Sequence, residues 1–205
     1  MKPLLCLAVL LASAGMAFAE EVAAGFKPLF NGKDLSGWRP RDPSKPSAWR
    51  VEDGVLTNAL KPGTPGVDLV TEQKFWNFTV RYEYQVPDKS NSGFYLRGRH
   101  EIQILGDYAL GKTSKGGNGA IYNTVAPSEF VSRPGNEWQT VEATIVGNKV
   151  SVILNGKKVH DNVTVDRATG SELDGFVNEP GSIFLQGDHG VVSFRTIQIK
   201  ELPKE

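Results

Sequence analysis

The chain has 205 residues, of which 23 are basic and 23 acidic, so its formal net charge is zero. It contains no basic stripe or arginine-rich run, and this argues against nucleic acid as a partner and for a neutral small molecule or polymer. The single cysteine, Cys6, lies in the N-terminal segment, so we expect the folded domain to rely on its core rather than on disulfides.

Residues 1–19 have the pattern of a secretory signal peptide. A basic start precedes an apolar run over residues 4–11, and the sequence AFA at 17–19 lies before two glutamates. The apolar run is too short to span a membrane, and Cys6 lies inside it rather than at its end, so the pattern predicts neither a membrane nor a lipid anchor. We expect cleavage after the AFA motif and export of residues 20–205, as a single domain, to the periplasm or the extracellular space.

Apolar and polar residues alternate along most of this domain, and a period of two predicts β-strands. The clearest case is NFTVRYEYQV at 77–86, in which every second residue is apolar. The alternation over residues 141–159 predicts further strands, with Gly-Asn and Asn-Gly turns between or after them. Two more strands are predicted near the end of the chain, at SIFLQ (182–186) and VVSFRTIQI (191–199). Many short strands at this spacing predict an all-β fold, an antiparallel β-sandwich or jelly roll.

One strand-like stretch, NSGFYLRGRHEIQIL at 91–105, is unusually rich in hydrogen-bonding side chains. Its apolar residues fall on one face if Gly98 introduces a bend or bulge. The opposite face then carries a polar set: Tyr95, Arg97, Glu101 and Gln103. In this set Glu101 can act as an acid or base, and Gln103 can both donate to and accept from a sugar hydroxyl. The alternative is a solvated strand face with an ordinary arginine–glutamate ion pair.

Two candidates lie outside this stretch. His189, in LQGDHG between two strands, has glycine neighbours that let the backbone approach a ligand, and its pKa suits proton transfer. Trp138 lies off the apolar row of its strand and can form the wall of a cleft. The alternatives are a loop histidine without a role and an edge tryptophan. The sequence has no histidine pair at ligand spacing and no phosphate or dinucleotide motif, so it gives little support for a metal site and none for a bound nucleotide.

The order of motifs resembles the 3-keto-disaccharide hydrolase family, once catalogued as a domain of unknown function. The likeness begins with FKPLFNGKDLSGW (26–38), continues through WRVEDGVLT (49–57) and residues 91–105, and ends with GSIFLQGDHGVVSFRTIQIKEL (181–202). It covers nearly all of the expected exported domain. The resemblance implies a concanavalin A-like β-sandwich. It also implies a small-molecule substrate, a glycoside whose glucose unit a separate enzyme has oxidised at C3 to a ketone.

The resemblance also implies a reaction and roles for the candidates. A C3 ketone acidifies the C2 proton, so one base can remove it, the enolate expels the C1 leaving group, and water adds back. Glu101 and His189 are then the acid and the base, and the sequence leaves open which residue has which role. It also leaves open whether a divalent metal assists the reaction. The implied substrate-binding residues are Tyr95, Arg97, Gln103, Asp107, Trp138 and Gln186.

Two other functions stay open at this point. The same fold also serves carbohydrate-binding modules without catalysis, and fold alone does not decide between them. An ordinary endoglycosidase is the third reading, but it needs a pair of carboxylates. After Glu101, Gln103 and Leu105 occupy the positions where the further acids of a sandwich glucanase would be expected. That absence argues against the ordinary reaction.

Overall fold

The structure is a computed structural model that describes residues 22–61 and 63–204, so the expected signal peptide lies outside the described residues. Over these ranges the chain forms 13 strands and a short 3₁₀ helix at Tyr108–Leu110. The strands are β1 (Lys27–Pro28), β2 (Trp38–Pro40), β3 (Trp49–Glu52), β4 (Val55–Asn58), β5 (Leu69–Phe75), β6 (Phe78–Gln85), β7 (Asn91–Leu96), β8 (His100–Leu105), β9 (Gln139–Val146), β10 (Lys149–Leu154), β11 (Lys157–Thr164), β12 (Gly181–Leu185) and β13 (Val192–Glu201). Within the described part of the chain, no helix is long and apolar enough to cross a membrane.

The strands form two antiparallel sheets. The larger sheet has the order β11-β10-β9-β6-β13-β4-β3, with β1 paired to β13, and the smaller sheet has the order β2-β5-β12-β7-β8. This architecture confirms the predicted all-β sandwich. β7 and β8 lie at one edge of the smaller sheet, and their outward-facing side chains point away from the larger sheet.

The hydrophobic core lies between the two sheets. Along β6 the residues alternate between buried and partly exposed, as the period of two predicts. Phe94 on β7 and Ile102 on β8 point into the same core, and the ring of Phe94 stacks on that of Tyr82 from the larger sheet with centroids 4.0 Å apart. Each such buried side chain contributes about 1.5–3 kcal/mol to folding, so the alternation fixes which face of each strand turns outward.

The stretch 91–105 is a hairpin rather than one bent strand, which corrects the expectation of a simple bend or bulge at Gly98. Leu96 pairs with His100, and residues 97–99 form the turn. Arg97 and Gly98 have φ of 53° and 68°, the left-handed backbone that reverses the chain and that glycine adopts at little cost. The predicted faces survive the reversal, because residues directly opposite each other in an antiparallel pair point to the same side.

Candidate functional site

The hairpin gathers polar side chains on the outer face of the smaller sheet. Tyr95 on β7 lies directly opposite Glu101 on β8, and Gln103 lies opposite Gly93. Together with residues from three loops they line a cleft of about 90 Å³, whose walls are Asn91, Tyr95, Glu101, Gln103, Tyr122, Gly170, Ser171, Gln186 and His189. Five of the eight residues predicted for the site therefore meet here: Tyr95, Glu101, Gln103, Gln186 and His189.

The carboxylate of Glu101 is buried and held from both sides. The Tyr95 hydroxyl donates a hydrogen bond to Glu101 Oε2 at 2.8 Å. With the side-chain amide of Gln103 flipped, its nitrogen donates to Glu101 Oε1, also at 2.8 Å, and its oxygen faces the Asn91 side chain. Gly93 leaves the necessary space, because a Cβ at that position would lie 2.2 Å from Glu101 Oε1. The local sequence thus fixes both the place and the orientation of this carboxylate.

Burial raises the pKa of Glu101 from 4.5 to about 7. The Tyr95 hydrogen bond and the nearby His189 oppose this shift, while Asp188 and Asp68 add to it. Burial and the same carboxylate also raise the pKa of Tyr95, which keeps its hydroxyl a proton donor. A carboxyl group that changes protonation near neutral pH can both accept and return a proton, as general acid–base catalysis requires.

His189 lies on a loop that buried groups hold in place. Asn58 Nδ2 donates to the carbonyl oxygens of Gly187 and Gly190, each at 2.9 Å, and the Gly187 amide donates to Asp68 Oδ1 at 3.0 Å. The imidazole itself is half exposed, with Nδ1 at 2.5 Å from Asp188 Oδ1. The backbone is fixed while the ring stays accessible, which suits a group that exchanges protons with a bound molecule.

Gln186 brings an unused acceptor to the cleft. Its backbone amide donates to the Gly93 carbonyl at 2.9 Å, which fixes the residue beside Glu101. Its side-chain Oε1 is buried, and none of the described residues donates a hydrogen bond to it. A buried acceptor without a partner costs about 1–3 kcal/mol, and a hydroxyl group of a ligand would remove that cost.

Arg97 does not lie beside Glu101, so its expected place in the sugar site is wrong. Its guanidinium stacks on Trp76, 3.6 Å from the ring centroid, and donates to the carbonyl oxygens of Trp76 and Gly147 at 2.7 and 2.8 Å. The physical reason is that Arg97 lies in the turn with a left-handed backbone, so its side chain does not follow the in-and-out alternation of the strand residues.

Asp107 and Trp138 also lie away from the cleft. Asp107 is buried and accepts hydrogen bonds from the Asn118 amide at 2.9 Å and from the Ser132 hydroxyl at 2.8 Å, so it holds two loop segments together. Trp138 packs under the Arg195 guanidinium, 4.5 Å from its ring centroid, in the region of the larger sheet. The structure therefore does not bring either residue into the cleft.

Sequence reasoning missed the loop residues that complete the cleft. Tyr122 comes from the long connection between β8 and β9, and Ser171 from the one between β11 and β12. Arg41 fixes the second loop by donating to the carbonyl oxygens of Ser171 and Glu172 at 3.0 and 2.8 Å. The length of the first connection is the one sequence feature that pointed here, since long loops are often functional.

A larger cavity of about 430 Å³ lies elsewhere, next to Trp76, but none of the described residues that line it is a carboxylate or a histidine. The smaller cleft, which Glu101 and His189 both line, is therefore the better candidate for proton-transfer chemistry. Among the residues that the structure describes, no group of three or more His, Cys, Asp or Glu side chains is placed to hold a metal ion.

Solved structures of similar proteins share the fold. A structure from Parabacteroides distasonis ATCC 8503, called a "putative glycosyl hydrolase", is 30% identical with a TM-score of 0.71, covering 87% of this chain and 84% of that one. A second so named from the same organism is 23% identical with a TM-score of 0.72, covering 87% and 95%. The carbohydrate-binding module CBM66 of Bacillus subtilis, 11% identical with a TM-score of 0.50 over 80% and 96%, shares the fold alone.

These similarities define a carbohydrate-active protein of the glycosidase-like class. A family model described as the 3-keto-alpha-glucoside-1,2-lyase-like domain matches residues 25–200, so the chain belongs to that family. This match confirms the family resemblance seen in the sequence. A search of curated proteins gave no match.

Proposed function

We propose that the protein is an exported enzyme that cleaves 3-keto-glycosides by removing the proton at C2. The observation that carries this proposal is Glu101, a buried carboxyl with a pKa of about 7 in a polar cleft. One such group suffices when a neighbouring ketone has already acidified the C–H bond. Direct displacement at C1 would instead need two carboxyl groups flanking the bond, about 5–9.5 Å apart.

The reaction proceeds by elimination. The Glu101 carboxylate takes the C2 proton, and the electron pair of that C–H bond forms an enolate across C2 and C3. The enolate then collapses, the C1–O bond breaks, and a C1–C2 double bond forms beside the ketone. The leaving oxygen takes its proton from His189, which is the accessible group at the mouth of the cleft. Addition of water returns OH to C1 and hydrogen to C2.

The other residues of the cleft bind and orient the sugar. The unpartnered Gln186 Oε1 accepts a hydrogen bond from a sugar hydroxyl. Gln103 holds Glu101 in place, and the amide of Asn91 in the cleft wall supplies a donor for the oxygen on which the enolate charge develops, where a fixed donor lowers the barrier most. Because the reaction starts from a ketone, a separate oxidising enzyme must supply the substrate.

A direct comparison of substrates tests the proposal. Purified protein is incubated with a 3-keto-α-glucoside and, separately, with the unoxidised parent glycoside, and the release of the aglycone is measured. We expect release from the keto-sugar alone. Equal release from the parent would identify an ordinary glycosidase, and saturable binding of the keto-sugar without any release would identify a binding module; either result would overturn the proposal.

A further inference from the structure

The cavity next to Trp76 lies beyond the end of β7, between the β5–β6 turn, the β9–β10 turn and β11. Arg97, just past the end of β7, contacts Trp76 and faces this cavity rather than the candidate cleft. The two spaces share no lining residue. We call this space the Trp76 cavity; it is lined by Trp76, Asn77, Val146, Gly147, Asn148, Lys149 and Asn162.

The walls of the Trp76 cavity are held rigidly. Arg97 is 1% exposed, covers one face of the Trp76 ring, and is tied to the Gly147 carbonyl. Asn77 Oδ1 accepts a hydrogen bond from the Gly147 amide at 2.9 Å, so the ring and the β9–β10 turn are joined twice. Because the Trp76 side chain is already fixed, a ligand that binds against the indole does not have to immobilise it, and the entropic cost of binding is lower.

The chemistry of the lining selects a neutral polar ligand. Three asparagines line the cavity. Asn77 is held by its own hydrogen bonds, and the amides of Asn148 and Asn162 can donate to and accept from hydroxyl groups. Asn148 Nδ2 donates to Asp166 at 2.7 Å and Asn162 Nδ2 to Asp161 at 3.3 Å, so two carboxylates lie close behind the lining, while the Lys149 ammonium group donates to the Thr164 hydroxyl. An anion is therefore not favoured at this site.

The size of the cavity points to a small molecule rather than an ion. Its volume of about 430 Å³ falls in the range of about 300–1,000 Å³ that is usual for small-molecule pockets. An apolar ring face next to several amides matches a sugar ring, which has apolar C–H faces and a rim of hydroxyl groups. Among the described residues that line the cavity, Lys149 is the one titratable side chain, so the lining offers no acid–base pair.

We infer that the Trp76 cavity is a second, non-catalytic binding site for a neutral saccharide. It goes beyond the proposed reaction, because it needs no ketone on the sugar. A site at this end of the sheet would hold the protein on a glycan or a longer glycoside while the cleft acts on another residue of the same or a neighbouring chain.

Calorimetric titration with unoxidised maltopentaose and cellopentaose tests the inference. We expect saturable binding of at least one of the two, and a roughly five- to tenfold loss of affinity in Trp76→Ala, the loss of one aromatic contact. Asn148→Ala and Asn162→Ala should each weaken binding as well. Gln186→Ala, which alters the candidate cleft, should leave this affinity unchanged.

Two results would overturn the inference. One is the absence of binding by either pentasaccharide to the folded protein; the other is binding that Gln186→Ala abolishes and the cavity variants leave intact. Because Arg97 rests on Trp76, Trp76→Ala requires a check of its thermal midpoint, and the two asparagine variants decide the matter if it unfolds. Cleavage of a small 3-keto-α-glucoside by the asparagine variants should stay at the wild-type rate, which separates this inference from the proposed reaction.

Discussion

Two opposed influences act on the pKa of Glu101. Burial favours the neutral carboxyl, while the hydroxyl of Tyr95 and the nearby His189 favour the carboxylate. Burial is the larger effect, and the pKa rises to about 7. Near pH 7 the group is therefore divided between a form that can remove the C2 proton and a form that can return it.

Replacing Glu101 by Gln removes proton transfer and keeps the size of the side chain. We expect kcat on a 3-keto-α-glucoside to fall by about 10²- to 10⁴-fold. The exposed Glu72 on β5 offers a matched control, and Glu72→Gln should leave kcat unchanged. A wild-type rate in Glu101→Gln would remove this carboxyl from the mechanism.

The same substitution has a consequence for stability that depends on pH. A carboxyl whose pKa rises from 4.5 to about 7 on folding lowers the free energy of unfolding as pH increases through that interval, by up to about 3 kcal/mol above pH 7. Glu101→Gln should therefore have a higher thermal midpoint than the wild type at pH 8. The difference should shrink below pH 4.5, where the wild-type carboxyl is neutral in both states.

Tyr95→Phe isolates the contribution of one hydrogen bond. The Tyr95 hydroxyl lowers the pKa of Glu101, so its removal should move that pKa above about 7. The acid limb of the kcat/KM profile, where the base becomes protonated, should shift to higher pH. Tyr108→Phe, at an exposed tyrosine, serves as the control. An acid limb that stays in place or moves to lower pH would contradict the assignment of Glu101 as base.

At the scale of elements, the β7–β8 hairpin builds the centre of the site. It places Tyr95 opposite Glu101 and leaves room for the carboxylate above Gly93. The β12 strand then delivers Gln186, whose amide bonds to the Gly93 carbonyl. Three neighbouring strands of the smaller sheet thus position the proposed base, its hydrogen-bond donor and the proposed acceptor for the sugar.

Gly93→Ala tests this packing. The added Cβ would lie 2.2 Å from Glu101 Oε1, so the carboxylate must move. A displacement of about 1 Å can cost on the order of 10²-fold in rate, and we expect kcat/KM to fall by at least about tenfold. Gly175→Ala is the matched control, because a Cβ there meets nothing within 4 Å. Wild-type activity in Gly93→Ala would show that the position of Glu101 does not matter.

The strand faces could be predicted from the sequence because alternation is a local property. The pattern around Glu101 and Gln103 placed both on the outer face of β8, where the structure has them. The turn at Arg97 was missed because arginine seldom adopts a left-handed backbone and Gly98 also fits a bulge. Tyr122 and Ser171 reach the cleft through contacts far apart in sequence, which no local pattern encodes.

At the scale of the whole molecule, the residues that stabilise the sandwich and the residues that line the candidate cleft lie on opposite faces of the smaller sheet. The core between the sheets holds the fold, and the outer face of the smaller sheet is left for binding. The loop between β11 and β12 partly covers that face, where Leu173 packs on the small cluster of Val70, Tyr95 and Phe184. The cleft draws residues from Asn91 to His189, so it forms only when the whole domain has folded.

The central claim is that the C2 hydrogen leaves during cleavage, and the fate of that hydrogen tests it most directly. The protein is incubated with a 3-keto-α-glucoside in deuterated water, and the sugar product is analysed by NMR and mass spectrometry, with free 3-keto-glucose as a control for exchange in solution. The account predicts either a hydrated product with deuterium at C2 or a 1,2-unsaturated product without hydrogen there. Cleavage that leaves the original hydrogen at C2, and that runs at the same rate on a substrate carrying deuterium at C2, would contradict it and would indicate direct displacement at C1.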